Sequence, residues 1–338
     1  MSLRARALLL AASVAATFTG CTNIELAFGL RTRLDNIPID SLSARITPGP
    51  RLAPGQSAHV IVVATTRDGR QLATAGAGQG DVLLDSYVFS SSLVSVDEDG
   101  LVTMPADPRI TDGQTPHVQI TLKSSPQLFA DLDVPLRYDV AYRSDFSGGT
   151  GANGFDGNDG LDGMMGSDGS TDPDHLAPGG NGSDGSNGSD GGEGFPGAAG
   201  EAVHIWLTLA PTLESRATPR LQARVEGTTR KLFFLIDAAG GSLEITANGG
   251  AGGSGGRGGR GGRGGAGGIG WPAGSPGHDG LDGHSGFDGT PGASGTIAVS
   301  VDPKASSFIT CLHLFNKDGS GRAGPAPIVH IEPVGPLW

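Results

Sequence analysis

From residue 37 onward, short runs of alternating apolar and polar residues predict β-strands. "SLSARITPG" (41–49) alternates, as does "SAHVIVVAT" (57–65), where Val60 and Val62, or Ile61 and Val63, are available to an inner face. "RDGR" (67–70) reads as a turn, and "YVFSSSLVSVDEDGLVTMP" (87–105), "HVQITLK" (117–123) and "ADLDVPLRYDV" (130–140) continue the strand pattern. Short strands separated by turn signals predict a sandwich over 37–145. A second strand series begins at "EAVHIWLTLAP" (201–211), where Val203, Ile205, Leu207 and Leu209 share one face. "RLQARVEG", "KLFFLIDA", "GSLEITANG", "GTIAVSVDP", "SFITCLHLFN" and "PIVHIEPVG" follow, predicting one β domain from 201–248 plus 296–338.

Between these runs the pattern changes from a period of two to a period of three. Glycine recurs at every third position in 148–169, 179–200, 249–270 and 274–295, giving glycine-triplet regions 148–200 and 249–295. The ridge includes Gly154, Gly157, Gly160, Gly185, Gly188, Gly258, Gly261, Gly264, Gly280 and Gly283. Three residues per turn is the polyproline II period, so each block makes a rod roughly 65 Å long with its glycines on one line. Such a helix has no internal hydrogen bonds, and a ridge without Cβ lets neighbouring backbones approach closely enough to supply them. The doubled glycines of "GGRGGRGGRGG" open two ridges, marking that block as a central rod.

The expected fold class is therefore all-β: two β domains, the second carrying polyglycine-II-type arms. Two alternatives stay open, a collagen-like trimer and disordered arms. Collagen shares the period, and "GFPGAAGE" and "GSPGHDGLDGHSGFDGTPGASG" look collagen-like. Collagen-like segments carry about 15–20% proline or more, whereas these two regions contain six prolines. Glycine loses the most entropy on ordering, which favours disorder. The strict period and equal blocks argue for order.

Three family resemblances add to this. Arg4 and Arg6, the apolar run "ALLLAASVAATF" (7–18), too short to span a bilayer, and "FTGC" (18–21) resemble a bacterial lipoprotein signal peptide with its lipobox. The resemblance implies cleavage after residue 20, lipidation of Cys21, a tether over 21–36 and an outer-membrane location in the bacterial cell envelope. "LAPGQSAHVIVVAT" (52–65) and "SSSLVSVDEDGLVT" (90–103) resemble the bacterial immunoglobulin-like family, whose domains serve as spacers and adhesive modules. The glycine triplets are similar in repeat style to glycine-rich antifreeze proteins and some phage adhesins.

Charge and chemistry narrow the function. The net charge of −12 argues against nucleic-acid partners. "GGSGG" (252–256) fits G-x-S-x-G only because any serine in polyglycine would, and it lacks a strand-to-helix elbow. Gly250, Gly252 and Gly255 spell G-x-G-x-x-G with no Rossmann unit around them. "HDGLDGH" makes His278, Asp279, Asp282 and His284 the one candidate metal set, and the Asp-Gly repeats offer oxygen to Ca²⁺ at most weakly. Arg257, Arg260 and Arg263 share a ridge and are expected to face an acidic one, such as Asp156, Asp159 and Asp162. No cofactor and no catalytic residue is expected. The expected function is a non-enzymatic, lipid-anchored structural or adhesive surface protein, with surface polysaccharide or envelope proteins as partners. The alternatives are a module that binds glycan, ice or Ca²⁺ on its glycine bundle, a collagen-like trimeric stalk, and an unrecognised hydrolase on the β domain of 201–248 and 296–338.

Overall fold

A computed structural model describes residues 32–74, 80–211 and 218–338. The signal-like segment and Cys21 lie outside the described residues. Among the described residues, eight strands build the first unit: β1 (Ile39–Thr47), β2 (Ser57–Thr66), β3 (Gln71–Ala73), β4 (Tyr87–Ser92), β5 (Ser95–Val96), β6 (Leu101–Thr103), β7 (His117–Leu122) and β8 (Ser125–Asp133). They form two antiparallel sheets, β1-β2-β6-β5 with β3 on β2, and β4-β7-β8.

The alternation in the sequence sets which side chains the two sheets share. Val60, Val62 and Ala64 on β2 meet Val118, Ile120 and Leu122 on β7 in one core, with Tyr87 and Val102. Each of these Val, Ile and Leu side chains contributes about 1.5–3 kcal/mol on burial. The "RDGR" turn forms as expected, with Gly69 at φ 83°, a left-handed conformation that suits glycine.

A second unit holds β9 (Ala141–Asp145), β10 (Val203–Leu209), β11 (Arg220–Glu226), β12 (Lys231–Asp237), β13 (Ser242–Thr246), β14 (Ile297–Val301), β15 (Leu312–Phe315) and β16 (Ile328–Ile331). One sheet runs β12-β11-β10-β14-β16 and the other β15-β13-β9. Val203, Ile205 and Leu207 face Leu243 and Ile245 across a core that also takes Leu221, Val225, Val299 and Val301. Cys311 is buried at its edge, and burial pushes its thiol up to about 11. The strand expected through "SFITCLHLFN" begins instead as a 3-10 turn, Ser306–Cys311.

Two sequence boundaries differ from the observed ones. The strand expected over 130–140 ends at Asp133, being the end of β8. Residues 141–145, read as the end of the first domain, form β9, whose ladder partner is β13 of the second unit. Phe146 follows it into the second core. Ladder partners far apart in sequence leave no local signal, so the alternation marked a strand without showing its sheet.

The two units meet directly. The Arg109 guanidinium lies 3.6 Å from the Phe233 ring centroid. The Trp338 ring packs edge-on against Phe233, and its indole N–H donates to Asp112 at 3.0 Å. The Asp237 N–H donates to the Tyr138 carbonyl at 3.0 Å.

The four glycine blocks leave and re-enter this second unit as two hairpins. Rod 1 (148–169) follows β9, and rod 2 (179–200) returns into β10. Rod 3 (249–270) follows β13, and rod 4 (274–295) returns into β14. β9 pairs β13 in parallel, and β10 pairs β14 in parallel. The rods therefore start as ready-made parallel neighbours, 1 beside 3 and 2 beside 4.

Candidate functional site

The rods are cross-linked by backbone hydrogen bonds at every third residue. Gly157, Gly160 and Gly163 of rod 1 donate to the carbonyls of Arg257, Arg260 and Arg263 of rod 3, each at 2.7 Å. Ser183, Ser186 and Ser189 of rod 2 donate to Met164, Leu161 and Asn158 of rod 1 at 2.9–3.0 Å. Gly185, Gly188 and Gly191 of rod 2 donate to His278, Leu281 and His284 of rod 4 at 2.8–2.9 Å. The second glycines of rod 3, Gly259 and Gly262, donate to Ser189 and Ser186 of rod 2. Gly280 and Gly283 of rod 4 donate to Gly262 and Gly259 of rod 3 at 2.8 Å. Rods 2 and 3 thus bond three neighbours each, and rods 1 and 4 bond two. The doubled-glycine rod is one of the central pair, with Gly256, Gly259, Gly262 and Gly265 buried.

The glycine ridge is what permits these contacts. A Cβ on Gly154, Gly157 or Gly160 would land on the carbonyl oxygen of Gly192, Ser189 or Ser186. On Gly185 or Gly188 it would strike the carbonyls of Gly262 or Gly259, and on Gly280 or Gly283 those of Ser186 or Ser189. On Gly258, Gly261 or Gly264 it would strike Gly283, Gly280 or Gly277. All ten ridge glycines singled out from the sequence lie on these seams.

A second layer of bonds comes from side chains. The residue before each glycine in rods 1 and 2 is repeatedly Asp or Asn, and its Oδ1 accepts a main-chain N–H from the parallel neighbour. Asp156, Asp159 and Asp162 accept from Arg257, Arg260 and Arg263 at 2.7–2.8 Å. Asp184, Asn187 and Asp190 accept from His278, Leu281 and His284 at 2.7–2.8 Å. The glycine that follows each of them donates to the carbonyl of that same neighbour residue. Each Asx-Gly step of rods 1 and 2 therefore grips one residue of its parallel neighbour with two hydrogen bonds. Between rods 1 and 2, serine hydroxyls do similar work, Ser183, Ser186 and Ser189 accepting from Met164, Leu161 and Asn158. These side chains give partners to the main-chain N–H groups of outward-facing residues that no backbone carbonyl of the bundle reaches.

The candidate metal set is divided by this lattice. Asp279 and Asp282 accept main-chain N–H groups of Gly264 and Gly261 on rod 3, each at 2.7 Å. His278 and His284 instead approach Asp184 and Asp190 on rod 2, with Nδ1 to Oδ1 distances of 3.3 and 3.4 Å. Consecutive residues of a three-fold helix point about 120° apart, so X and Y side chains diverge. Among the described residues, no group of three or more His, Cys, Asp or Glu side chains is placed to hold a metal ion. The hydrogen bond from the His278 main chain, then its ring, holds Asp184 below the usual carboxylate range, and His284 does the same to Asp190.

The arginine ridge does lie beside Asp156, Asp159 and Asp162, but the meeting is between arginine main chain and carboxylate. The outer ridges are apolar in part: Phe155, Leu161 and Met164 on rod 1 and Leu281 and Phe287 on rod 4 are each more than 70% exposed.

Sequence reasoning missed the Asx role. Its signal was present: Asp or Asn recurs before glycine in rods 1, 2 and 4, while rod 3, whose N–H groups bond the Asx residues of rods 1 and 4, carries none in 249–270.

Fold and lattice together define an all-β protein in which β-sheets carry a rod bundle. No known protein family matches the chain, and no curated protein matches it. Among solved structures, the S-layer protein rSbsC is similar to 63% of this chain at 12% identity and a TM-score of 0.20. The chain spans 29% of that structure's length, and a likeness at this TM-score carries no argument. Among the described residues, no helix is long and apolar enough to cross a membrane.

Proposed function

We propose that this chain is a non-enzymatic, lipid-anchored surface protein of the bacterial envelope. In this reading an immunoglobulin-like module stands nearest the lipidated Cys21, and the second β unit projects a polyglycine-II bundle as a stiff structural or adhesive arm. The observation that carries it is continuity of register. β9 pairs β13 with Ala141 opposite Ser242, and the side-chain bond from Asp156 to Arg257 keeps the same offset of 101 residues. β10 pairs β14 with Val203 opposite Ile297, and Asp184 with His278 keeps the same offset of 94. A linker has no reason to inherit sheet register, whereas a rigid arm built out from a sheet must.

Pairing of rods inside one chain favours this reading over a collagen-like trimer, because the glycine N–H groups find their carbonyls without a second chain. The exposed Phe155, Leu161, Leu281 and Phe287 suit display toward surface polysaccharide or another envelope protein. Weak Ca²⁺ association at the aspartates is a lesser reading, since their Oδ1 atoms already accept amides.

Hydrogen exchange tests the arm. Rod amides such as Gly160 and Gly185 should exchange far more slowly than in a free peptide, at any protein concentration. Free-peptide rates would leave two β units joined by flexible chain. Fatty-acid labelling tests the anchor: label should enter the parent protein and be lost in Cys21→Ala.

A further inference from the structure

Asparagine followed by glycine is the most reactive dipeptide of an ageing chain, and it occurs four times here, at Asn153, Asn181, Asn187 and Asn248. In a flexible chain the glycine amide nitrogen, on losing its proton to base, attacks the asparagine Cγ. A C–N bond forms, ammonia leaves, and the resulting succinimide is opened by water to aspartate or isoaspartate. Glycine allows the approach because it has no side chain in the way.

All four steps lie within the lattice, and all four are held in the same manner. The Asn153 Oδ1 accepts from the Ser254 N–H at 3.0 Å, while the Gly154 N–H donates to the Ser254 carbonyl at 2.8 Å. Asn181 and Gly182 grip Ser275 with bonds of 2.9 and 2.9 Å. Asn187 and Gly188 grip Leu281 at 2.8 and 2.9 Å. Asn248 and Gly249 grip Lys317 at 2.7 and 2.7 Å. Side chain and glycine amide therefore both face the neighbouring rod or strand, side by side. Ring closure requires the glycine nitrogen to turn onto Cγ, which breaks both bonds and removes the amide proton from its acceptor. Asn153, Asn181 and Asn187 are exposed to water, so the obstacle is conformational and not steric cover.

We propose that these Asn-Gly clamps are latent modification sites, kept from succinimide closure while the rods are paired and released when a rod opens. The inference rests on the bundle reading above. Its consequence is irreversible. An isoaspartate routes the main chain through Cγ and adds one methylene, so every glycine beyond it falls out of the three-residue register and the opened rod cannot zip closed again. Asn181 stands near the outer end of rod 2, beside the loop at 170–178, and is the first expected to react. Asn248, half-buried against the β unit with its own N–H donating to Ser147, is the last.

The test incubates the full chain at mildly alkaline pH and maps aspartate and isoaspartate at each site by peptide mass spectrometry, with amide exchange followed in parallel. Native protein should react at Asn153, Asn181 and Asn187 at least about tenfold more slowly than the same chain in guanidinium, because closure waits for local opening. Gly185→Ala, whose Cβ would meet the Gly262 carbonyl, should bring Asn181 and Asn187 close to the denatured rate. Equal native and denatured rates with rod amides still protected would overturn the proposal and leave the bundle standing. Equal rates with unprotected amides would overturn both. A Gly185→Ala chain with opened rod amides and no faster reaction at Asn187 would also overturn it.

Discussion

The Arg257 main-chain N–H donates to the Asp156 carboxylate at 2.8 Å, across the same 101 positions that separate Ala141 from its β-partner Ser242. One offset runs from sheet into rod without a break. The β unit thus acts as a template that sets which triplets of rods 1 and 3 meet, and the pairing of β10 with β14 does so for rods 2 and 4. The long-range cost of bringing these segments together is met where Val203, Ile205, Leu243 and Ile245 bury their side chains.

Glycine on a seam and glycine off a seam should differ sharply. A Cβ at Gly160 meets the Ser186 carbonyl and the Gly262 amide, while one at Gly149 meets nothing within 4 Å. Gly160→Ala should destabilise the bundle by about 3 kcal/mol or more, at the upper end for overpacked sites. Gly149→Ala should be close to neutral. Denaturant unfolding with amide exchange at rods 1 and 2 reads both.

At Asp159 the lattice needs an oxygen acceptor and not a charge. Asp159→Asn keeps Oδ1 for the Arg260 N–H, so Arg260 should stay protected from exchange. Asp159→Ala removes the acceptor, and Arg260 should exchange faster while the neighbouring clamps at Asp156 and Asp162 hold. Equal behaviour of the two variants would contradict the clamp.

Acid should loosen the seam between rods 2 and 4 first. Hydrogen bonds from His278 and His284 hold Asp184 and Asp190 below the ordinary carboxylate range. A depressed carboxylate contributes stability that is present above its unfolded value, about pH 4, and is lost as pH falls through the folded value. Amide exchange at His278 and His284 should therefore rise below about pH 4 before the β core unfolds. Asp184→Asn with Asp190→Asn should remove that early step.

The two β units are held in part by one aromatic contact. Phe233 lies under Arg109 at 3.6 Å and against the edge of Trp338. A cation–π contact of this kind contributes about 0.5–1 kcal/mol at an exposed site. Phe233→Ala should leave both cores folded while widening the distribution of inter-unit distances in small-angle scattering. Trp338→Phe, which loses the indole N–H to Asp112, should show a smaller change in the same direction.

Much of this architecture is legible in the sequence. Val203, Ile205 and Leu207 declared their face through alternation, because a half-covered sheet buries every second side chain, whereas the choice between Val60 with Val62 and Ile61 with Val63 was left to the packing. Residues 141–145 did not declare their sheet, since "AYRSD" looks the same whichever strand it pairs. Among the candidate site residues, the glycines stood where their spacing placed them. His278, Asp279, Asp282 and His284 did not come together as a set, because their partners lie on rods 2 and 3.

Residue order alone settled what is local: the period of three, the bare ridge it creates, and the doubled ridge of 249–270. These follow from one backbone geometry repeated along the chain, and no distant residue can alter them. Tertiary structure decided what is relative: which rod lies beside which, in what register, and which neighbour's amide each aspartate grips. Those depend on parallel pairing between strands about a hundred residues apart, where the partner that gives a side chain its role is absent from its own stretch of sequence.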